Sequence, residues 1–244
     1  LMEMRTLDAY SLKTRYYPTV ILLAPLCLIV FSIGSGVWDP IQGLAGAIVS
    51  TLGLAFIMDQ IGRDQGKKKE AQLFLLWGGK PTTRIFRHRE SMLDPVTLRR
   101  YHNRLSGLVE GIHIPTPEEE AANPMAADSV YESCAAYLRQ RTRGMDFPLV
   151  YQENTNYGFR RNLWGMKASG IMISIVGAIG CATLAAWYLL QGKDEWLVAV
   201  ISAIVCIVMF VLWSFRFTPV WVRVPAEEYA RQLAAACDSL DNNK

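Results

Sequence analysis

The polar residues best able to do chemistry crowd into one stretch, Trp77-Gly78-Gly79-Lys80-Pro81-Thr82-Thr83-Arg84, continuing to Arg87-His88-Arg89. Two glycines permit close backbone approach, Thr82 and Thr83 sit where a helix would begin, and Lys80, Arg84 and Arg87 supply positive charge with His88 beside them. That combination suits a phosphate or another anion. It is not a nucleotide-binding P-loop, which requires a glycine where Phe74 stands and a Ser or Thr where Pro81 stands. The competing reading is a corner between helices whose cations are solvated or touch anionic lipid headgroups. Arg99, Arg100 and Arg104 extend the basic field, and Arg100 and Arg104 share a helix face.

Other chemistry is poorly supported by spacing. His88, His102 and His113 fall near Glu90, Asp94 and Glu110, but show no HExxH-type interval, so no metal is expected. No local motif supports a serine or cysteine nucleophile or a carboxylate pair, and neither an enzyme nor a cofactor is expected. Five scattered cysteines read as small packing residues in a reducing compartment.

The elements that must position the basic stretch are dominated by four charge-free apolar runs: Tyr16 to Trp38, Pro40 to Met58, Ala168 to Leu190 and Trp196 to Phe215. Each approaches the ~20 residues a helix needs to cross a bilayer. The expected fold is therefore membrane α-helical: four transmembrane helices as two hairpins, flanking a small, mostly helical cytoplasmic domain with two short strands. The implied division is an N-terminal tail (1–17), a first hairpin (18–62), a cytoplasmic domain (63–167), a second hairpin (168–215) and a strand with a C-terminal helix (216–244).

Orientation follows from charge. The Trp38-Asp39-Pro40 turn has no Lys or Arg and Gln191 to Glu195 has only Lys193, whereas Arg5, Lys13, Arg15, Arg63, Lys67 to Lys69, Arg160, Arg161, Lys167, Arg216 and Arg223 flank the other ends. Positive flanks stay inside, so both termini and the middle are expected to be cytoplasmic in a bacterial inner membrane. Arg160, Arg161 and Trp164 read as lipid-headgroup anchors, with Asn154 and Asn156 before them capping or turning the chain. Gly170, Ser174, Gly177, Ala178 and Cys181 make one small-residue face, suited to packing within the four-helix unit or between protomers. No ionisable residue lies inside a span, which argues against transport by one protomer.

The middle is split by charge. From Arg63 to Arg104 there are eleven Lys/Arg against four Asp/Glu, while Leu105 to Leu138 holds six acidic residues and no Lys or Arg. The basic half is expected to complement the acidic stretch of a neighbouring protomer, and nucleic acid is not expected as a partner. Helices are expected over Gly66 to Trp77 with Gly78-Gly79 as the stop, from Asp94-Pro95 to Leu108, from Thr116-Pro117, over Asp128 to Arg143, and over Pro225 to Leu240. Pro148 to Gln152 and Val220 to Val224 read as short strands.

The string Phe74-x-x-Trp77-Gly78-Gly79-Lys80-Pro81-Thr82-Thr83, followed by Arg87-His88-Arg89, resembles one in uncharacterised bacterial four-span inner-membrane proteins, and implies no activity. The layout also resembles, in architecture only, membrane effectors of bacterial antiviral systems. The expected function is an oligomeric inner-membrane sensor, effector or scaffold, with antiviral defence as the expected setting, carrying a basic surface for an anionic small molecule or a cytoplasmic protein partner and in contact with membrane lipid. The alternative is a channel or transport protein whose pore forms between protomers.

Overall fold

The computed structural model describes residues 9–35 and 40–240. The flanking charge at Arg5 and the Trp38-Asp39 turn lie outside the described residues. In chain order the elements are α1 (Ala9–Ser11), a π-helical turn (Leu12–Tyr16), α2 (Tyr17–Ser35), α3 (Pro40–Leu76), α4 (Pro81–Arg84), α5 (Pro95–Leu108), α6 (Pro117–Ala122), α7 (Pro124–Arg141), α8 (Pro148–Gly165), α9 (Lys167–Leu190), α10 (Trp196–Val211), a second π-helical turn (Leu212–Arg216), α11 (Pro219–Ala235) and a 3-10 turn (Ala236–Asp238). No strand occurs among the described residues. The chain divides into two compact units, Leu1–Glu70 with Gly158–Trp221, and Ala71–Tyr157 with Val222–Lys244.

In the first unit, Ala9–Ser35, Lys167–Leu190 and Trp196–Arg216 are each long and apolar enough to cross a membrane. A fourth span exists if Ile41–Phe56 and Gln60–Leu76, bent by 50° within α3, count as one. α9 packs on α10 and α2, and α2 on α10. The contact surfaces are built from small residues: α9 buries Gly170, Ser174, Gly177, Cys181 and Ala185, and α10 buries Ala199, Ser202, Ala203 and Cys206. Ala178 packs against the Cys181 and Cys206 cluster. A Cβ on Gly177 would stand 2.8 Å from Pro25 Cβ and 2.9 Å from Cys206 Sγ. The stripe is thus used inside the protomer, where missing side chains let α2, α9 and α10 approach closely.

Away from the cluster around Trp213, most large apolar side chains of α9 and α10 point the other way. Met172 and Ile179 on α9 are 62% and 61% exposed, and Ile201 and Ile204 on α10 are 54% exposed. Small residues inside and large apolar residues outside invert the arrangement of a water-soluble bundle, where large apolar side chains fill the core.

Polar side chains serve backbone groups that the helices leave open. Asn162, fully buried, donates from Nδ2 to the Thr14 carbonyl in the first π-helical turn at 2.6 Å. Lys167 Nζ donates to the Ser214 carbonyl in the second at 2.7 Å. π-helical turns break the regular ladder, and in apolar surroundings an unpartnered carbonyl is costly. α3 and α8 cross at glycines: a Cβ on Gly165 would stand 2.6 Å from Gly66 Cα. Beside the crossing, Lys69 Nζ donates to the Gly165 carbonyl at 2.8 Å and Glu70 pairs with Arg161 at 2.9 Å. Gly66 therefore lies within α3 for close approach, and does not start a helix as expected.

The second unit has a core of Ile85, Phe86, Leu105, Tyr131, Cys134 and Leu138 with Leu233 and Cys237 from the C-terminal segment. Its helix ends obey local chemistry. Asp94 caps α5, accepting from the Val96 and Thr97 N–H groups, and Thr116 with Glu119 forms a capping box on α6, so side chains satisfy N–H groups that the first turns leave open. Gly78 and Gly79, at φ +75° and +132°, end α3 in conformations that favour glycine. Asn123 caps α7 through the Ala126 N–H, starting it upstream of the expected Asp128.

Both expected strands are helical. Pro148 to Gln152 opens α8 with proline at its first position, and Asn154 and Asn156 lie inside that helix instead of capping it. Val220 to Val224 belongs to α11, and Pro225 lies within that helix. There Val222 is buried while Val220 and Val224 are exposed, and burial recurs at Ala226, Ala230 and Leu233. That is a helical interval, which five residues of apparent alternation concealed.

Candidate functional site

The basic and acidic halves of the middle complement each other within one chain, so the expected pairing between protomers is not needed to neutralise them. Thr83 Oγ1 donates to Glu132 Oε2 at 2.6 Å, with Lys80 Nζ at 3.1 Å and Arg139 Nη2 at 2.9 Å from the other oxygen. Arg139 Nη1 also donates to Thr82 Oγ1. Arg87, buried, holds Asp128 through two hydrogen bonds of 2.8 and 2.7 Å and the Gly78 carbonyl at 2.9 Å. Arg89 joins Asp128 and Glu120 at 2.7 Å each.

Glu120 is the centre of this network. Its side chain is 1% exposed, and it accepts from the His88 N–H at 2.8 Å, the Arg89 N–H at 3.1 Å and the Tyr131 hydroxyl at 2.8 Å, besides the Arg89 guanidinium. Burial pushes its pKa up, but the His88, Tyr131 and Arg89 hydrogen bonds outweigh that and hold it below the ordinary carboxylate value. Burial pushes the Tyr131 hydroxyl up, and the Glu120 carboxylate pushes it further. Glu132 is likewise held low: burial raises it, and Thr83, Lys80 and Arg139 more than compensate.

The candidate anion ligands are thus mostly engaged within the unit. Arg104 donates to the Cys237 and Leu240 carbonyls, at 3.4 and 2.5 Å, and Arg100 pairs with Asp238 at 3.1 Å, so both tie α5 to the C-terminal 3-10 turn. Arg84 differs. It is 8% exposed, its Nε and Nη1 have no hydrogen-bond partner, and its nearest carboxylates, Glu90 and Glu227, stand at 3.7 and 3.9 Å. Glu227 has a closer partner in Arg223 at 2.6 Å, and Glu90 is well exposed. A buried charge with so little direct compensation contributes little to stability. Arg84→Met should therefore change unfolding free energy by less than about 1 kcal/mol in either direction, or stabilise by up to ~2 kcal/mol. Denaturation of the purified chain checks this, and a loss above about 2 kcal/mol would show that Arg84 holds a group essential to the fold.

The arginines expected to meet headgroups also have protein partners. Arg160 donates to the Trp221 carbonyl at 3.0 Å and lies over the Trp221 ring, and Arg161 reaches Glu70 and Asn162. Trp164 is half-buried. Cys134 and Cys237 are buried, and desolvation pushes their thiols up to about 11 and about 12, so neither is a thiolate at neutral pH.

All three histidines of the chain line one open cavity of about 600 Å³ in the second unit. His88 and His102 stand edge to face with ring centroids 4.8 Å apart, and His102 stacks on Tyr131 at 5.7 Å. Burial pushes His102 below the ordinary histidine value, so it is neutral at pH 7. His113 pairs with Glu119 at 2.9 Å on the surface. Among the described residues no three His, Cys, Asp or Glu side chains converge as a metal site.

No protein-family model, curated protein or solved structure matches this chain.

Proposed function

We propose that the chain is an integral protein of the bacterial inner membrane, crossing it four times as two hairpins with both termini and the second unit in the cytoplasm. It acts as an oligomeric sensor or effector of the kind that its layout, in architecture only, resembles. The observation that carries this reading is the α9–α10 pair, with small residues at its helix contacts and large apolar residues on its outside, an arrangement suited to lipid. The asymmetry of Lys and Arg around the apolar runs supports the orientation.

Self-association through α3 is supported by Gly46 and Gly53, where a Cβ would meet nothing within 4 Å beyond the local helix backbone among the described residues, and by exposed Ser50 between them. These positions share one helix face that the protomer leaves open. The second unit, held by its charge network, is the receiving part of the sensor.

Reconstitution of the full chain in nanodiscs and liposomes tests this. Particle images and mass measurement should give one discrete oligomer, and liposomes should show no steady conductance without ligand. Monomers throughout, or steady unliganded conduction of the kind a channel gives, would overturn the sensor reading.

A further inference from the structure

We propose that the histidine-lined cavity binds a small organic anion of nucleoside monophosphate size, its charged group paired with Arg99 and the N–H groups of an amino substituent on its ring accepted by His88 and His102. The assignment rests on the reading of the second unit as the receiving part of a membrane sensor, and names the chemistry received.

The first observation is the cavity itself. At about 600 Å³ it falls within the roughly 300–1,000 Å³ of small-molecule sites. Leu98, Ile112 and Ile114 give it an apolar wall against which a flat ring can lie.

The second is the state of the imidazoles. His88 Nε2 stands 3.1 Å from the Pro115 carbonyl and His102 Nε2 2.8 Å from the Phe86 carbonyl. A carbonyl oxygen only accepts, so each Nε2 carries a proton, and an imidazole with its single proton on Nε2 keeps Nδ1 as an acceptor. The second unit fixes both rings further, through the Glu120 bond to the His88 backbone and the Tyr131 stack on His102. Two oriented acceptors beside an apolar wall select a ring bearing N–H donors, and not a bare hydrocarbon.

The third is charge. Arg87, Arg89, Arg100 and Arg104 are all engaged within the unit, whereas Arg99, on the cavity rim, has no ion pair or hydrogen bond among the described residues. It is exposed, and its planar guanidinium matches a phosphate or carboxylate in two-point fashion. Exposed Asn103 and Ser106 lie on the same rim and add neutral polar groups. The cavity therefore offers an anion pole at Arg99 and an acceptor pole at the histidines, separated by apolar surface.

Binding of three probes to the full chain in nanodiscs tests the assignment: adenosine monophosphate, which carries both poles, adenosine, which lacks the charge, and inorganic phosphate, which lacks the ring. Adenosine monophosphate should bind at least about tenfold more tightly than either fragment, and Arg99→Gln should lower its affinity about tenfold, toward that of adenosine. Adenosine binding should be unchanged in Arg99→Gln, and Ser106→Trp, which fills the rim, should weaken both nucleoside probes. Absence of adenosine monophosphate binding, or equal binding by wild type and Arg99→Gln, would overturn the assignment. A chain that assembles into its oligomer but ignores all three probes loses this site alone. A chain that binds as described but stays monomeric keeps the site and loses the sensor reading.

Discussion

Gly170→Leu is expected to break the first unit. A Cβ at this position would lie within the indole of Trp213, touching Cδ2, Cε2 and Cε3. Trp213 has nowhere to go: it is fully buried, clustered with Leu22, Leu163 and Met166, and stacked edge-on against Phe217 at 4.7 Å. A leucine must therefore displace either the ring or α9 itself. Overpacking a tight core costs ~1–3 kcal/mol where side chains can adjust, and this site has none that can, so a loss above about 3 kcal/mol is expected. Thermal unfolding of the chain in detergent, followed by tryptophan fluorescence, measures it. Ala168→Leu, two residues earlier on an exposed position of the same helix, should leave the midpoint unchanged. Equal behaviour of the two variants would mean that α9 and Trp213 are not in contact.

Glu120→Ala is expected to have the largest effect in the second unit. It removes one carboxylate and strands four donors: the His88 and Arg89 N–H groups, the Tyr131 hydroxyl and one end of the Arg89 guanidinium. Breaking a buried charged contact from one side costs ~3–5 kcal/mol, because the partners stay buried without compensation. Glu118→Ala, exposed on the same short helix, should cost less than about 0.5 kcal/mol.

Acid should imitate the Glu120 loss in two stages. His102 has its folded pKa lowered, so the unfolded chain takes up its proton first, and stability falls as pH drops below the ordinary histidine value of 6.5. Glu120 and Glu132 have lowered folded values, so their contribution is present above the ordinary glutamate value of 4.5 and is lost as pH falls through the folded values. Denaturation midpoints between pH 7 and pH 3 should decline in both windows, and Glu120→Ala should decline less in the lower one. A wild type as stable at pH 4 as at pH 7 would contradict the network.

The long apolar helices were legible because about twenty apolar residues without charge are a coarse signal, whatever their detailed packing. The small stripe Gly170 to Cys181 was legible for the same reason, but whether it met its own chain or another was not, since both use the same backbone approach. The helix starts at Asp94 and Thr116 were legible because capping is a matter of two or three neighbouring residues. The two strands were misread because Pro148 to Gln152 and Val220 to Val224 are too short to separate period two from period 3.6, and burial of Val222 depends on residues distant in sequence.

In the candidate site, the basic corner could be seen but its partners were not. Asp128, Glu132 and Tyr131 share one face of α7 at three- and four-residue spacing, and that spacing was the available signal for a second, acidic surface facing Lys80 to Arg89. Glu120 gave no such sign: its neighbours Glu118 and Glu119 are exposed, and only the turn of α6 carries it inward. The convergence of His88, His102 and His113 on one cavity likewise arises from tertiary packing of α5 against the chain around Phe86 and Pro115.

The orientation proposed above puts the second unit on the inner side of a membrane. Labelling with a membrane-impermeant maleimide in intact bacterial cells tests it, using Lys193→Cys in the short α9–α10 connection and Arg99→Cys on α5. The account predicts that Lys193→Cys is labelled from outside and Arg99→Cys only after the membrane is opened. Labelling of Arg99→Cys in sealed cells, with Lys193→Cys protected, would contradict it.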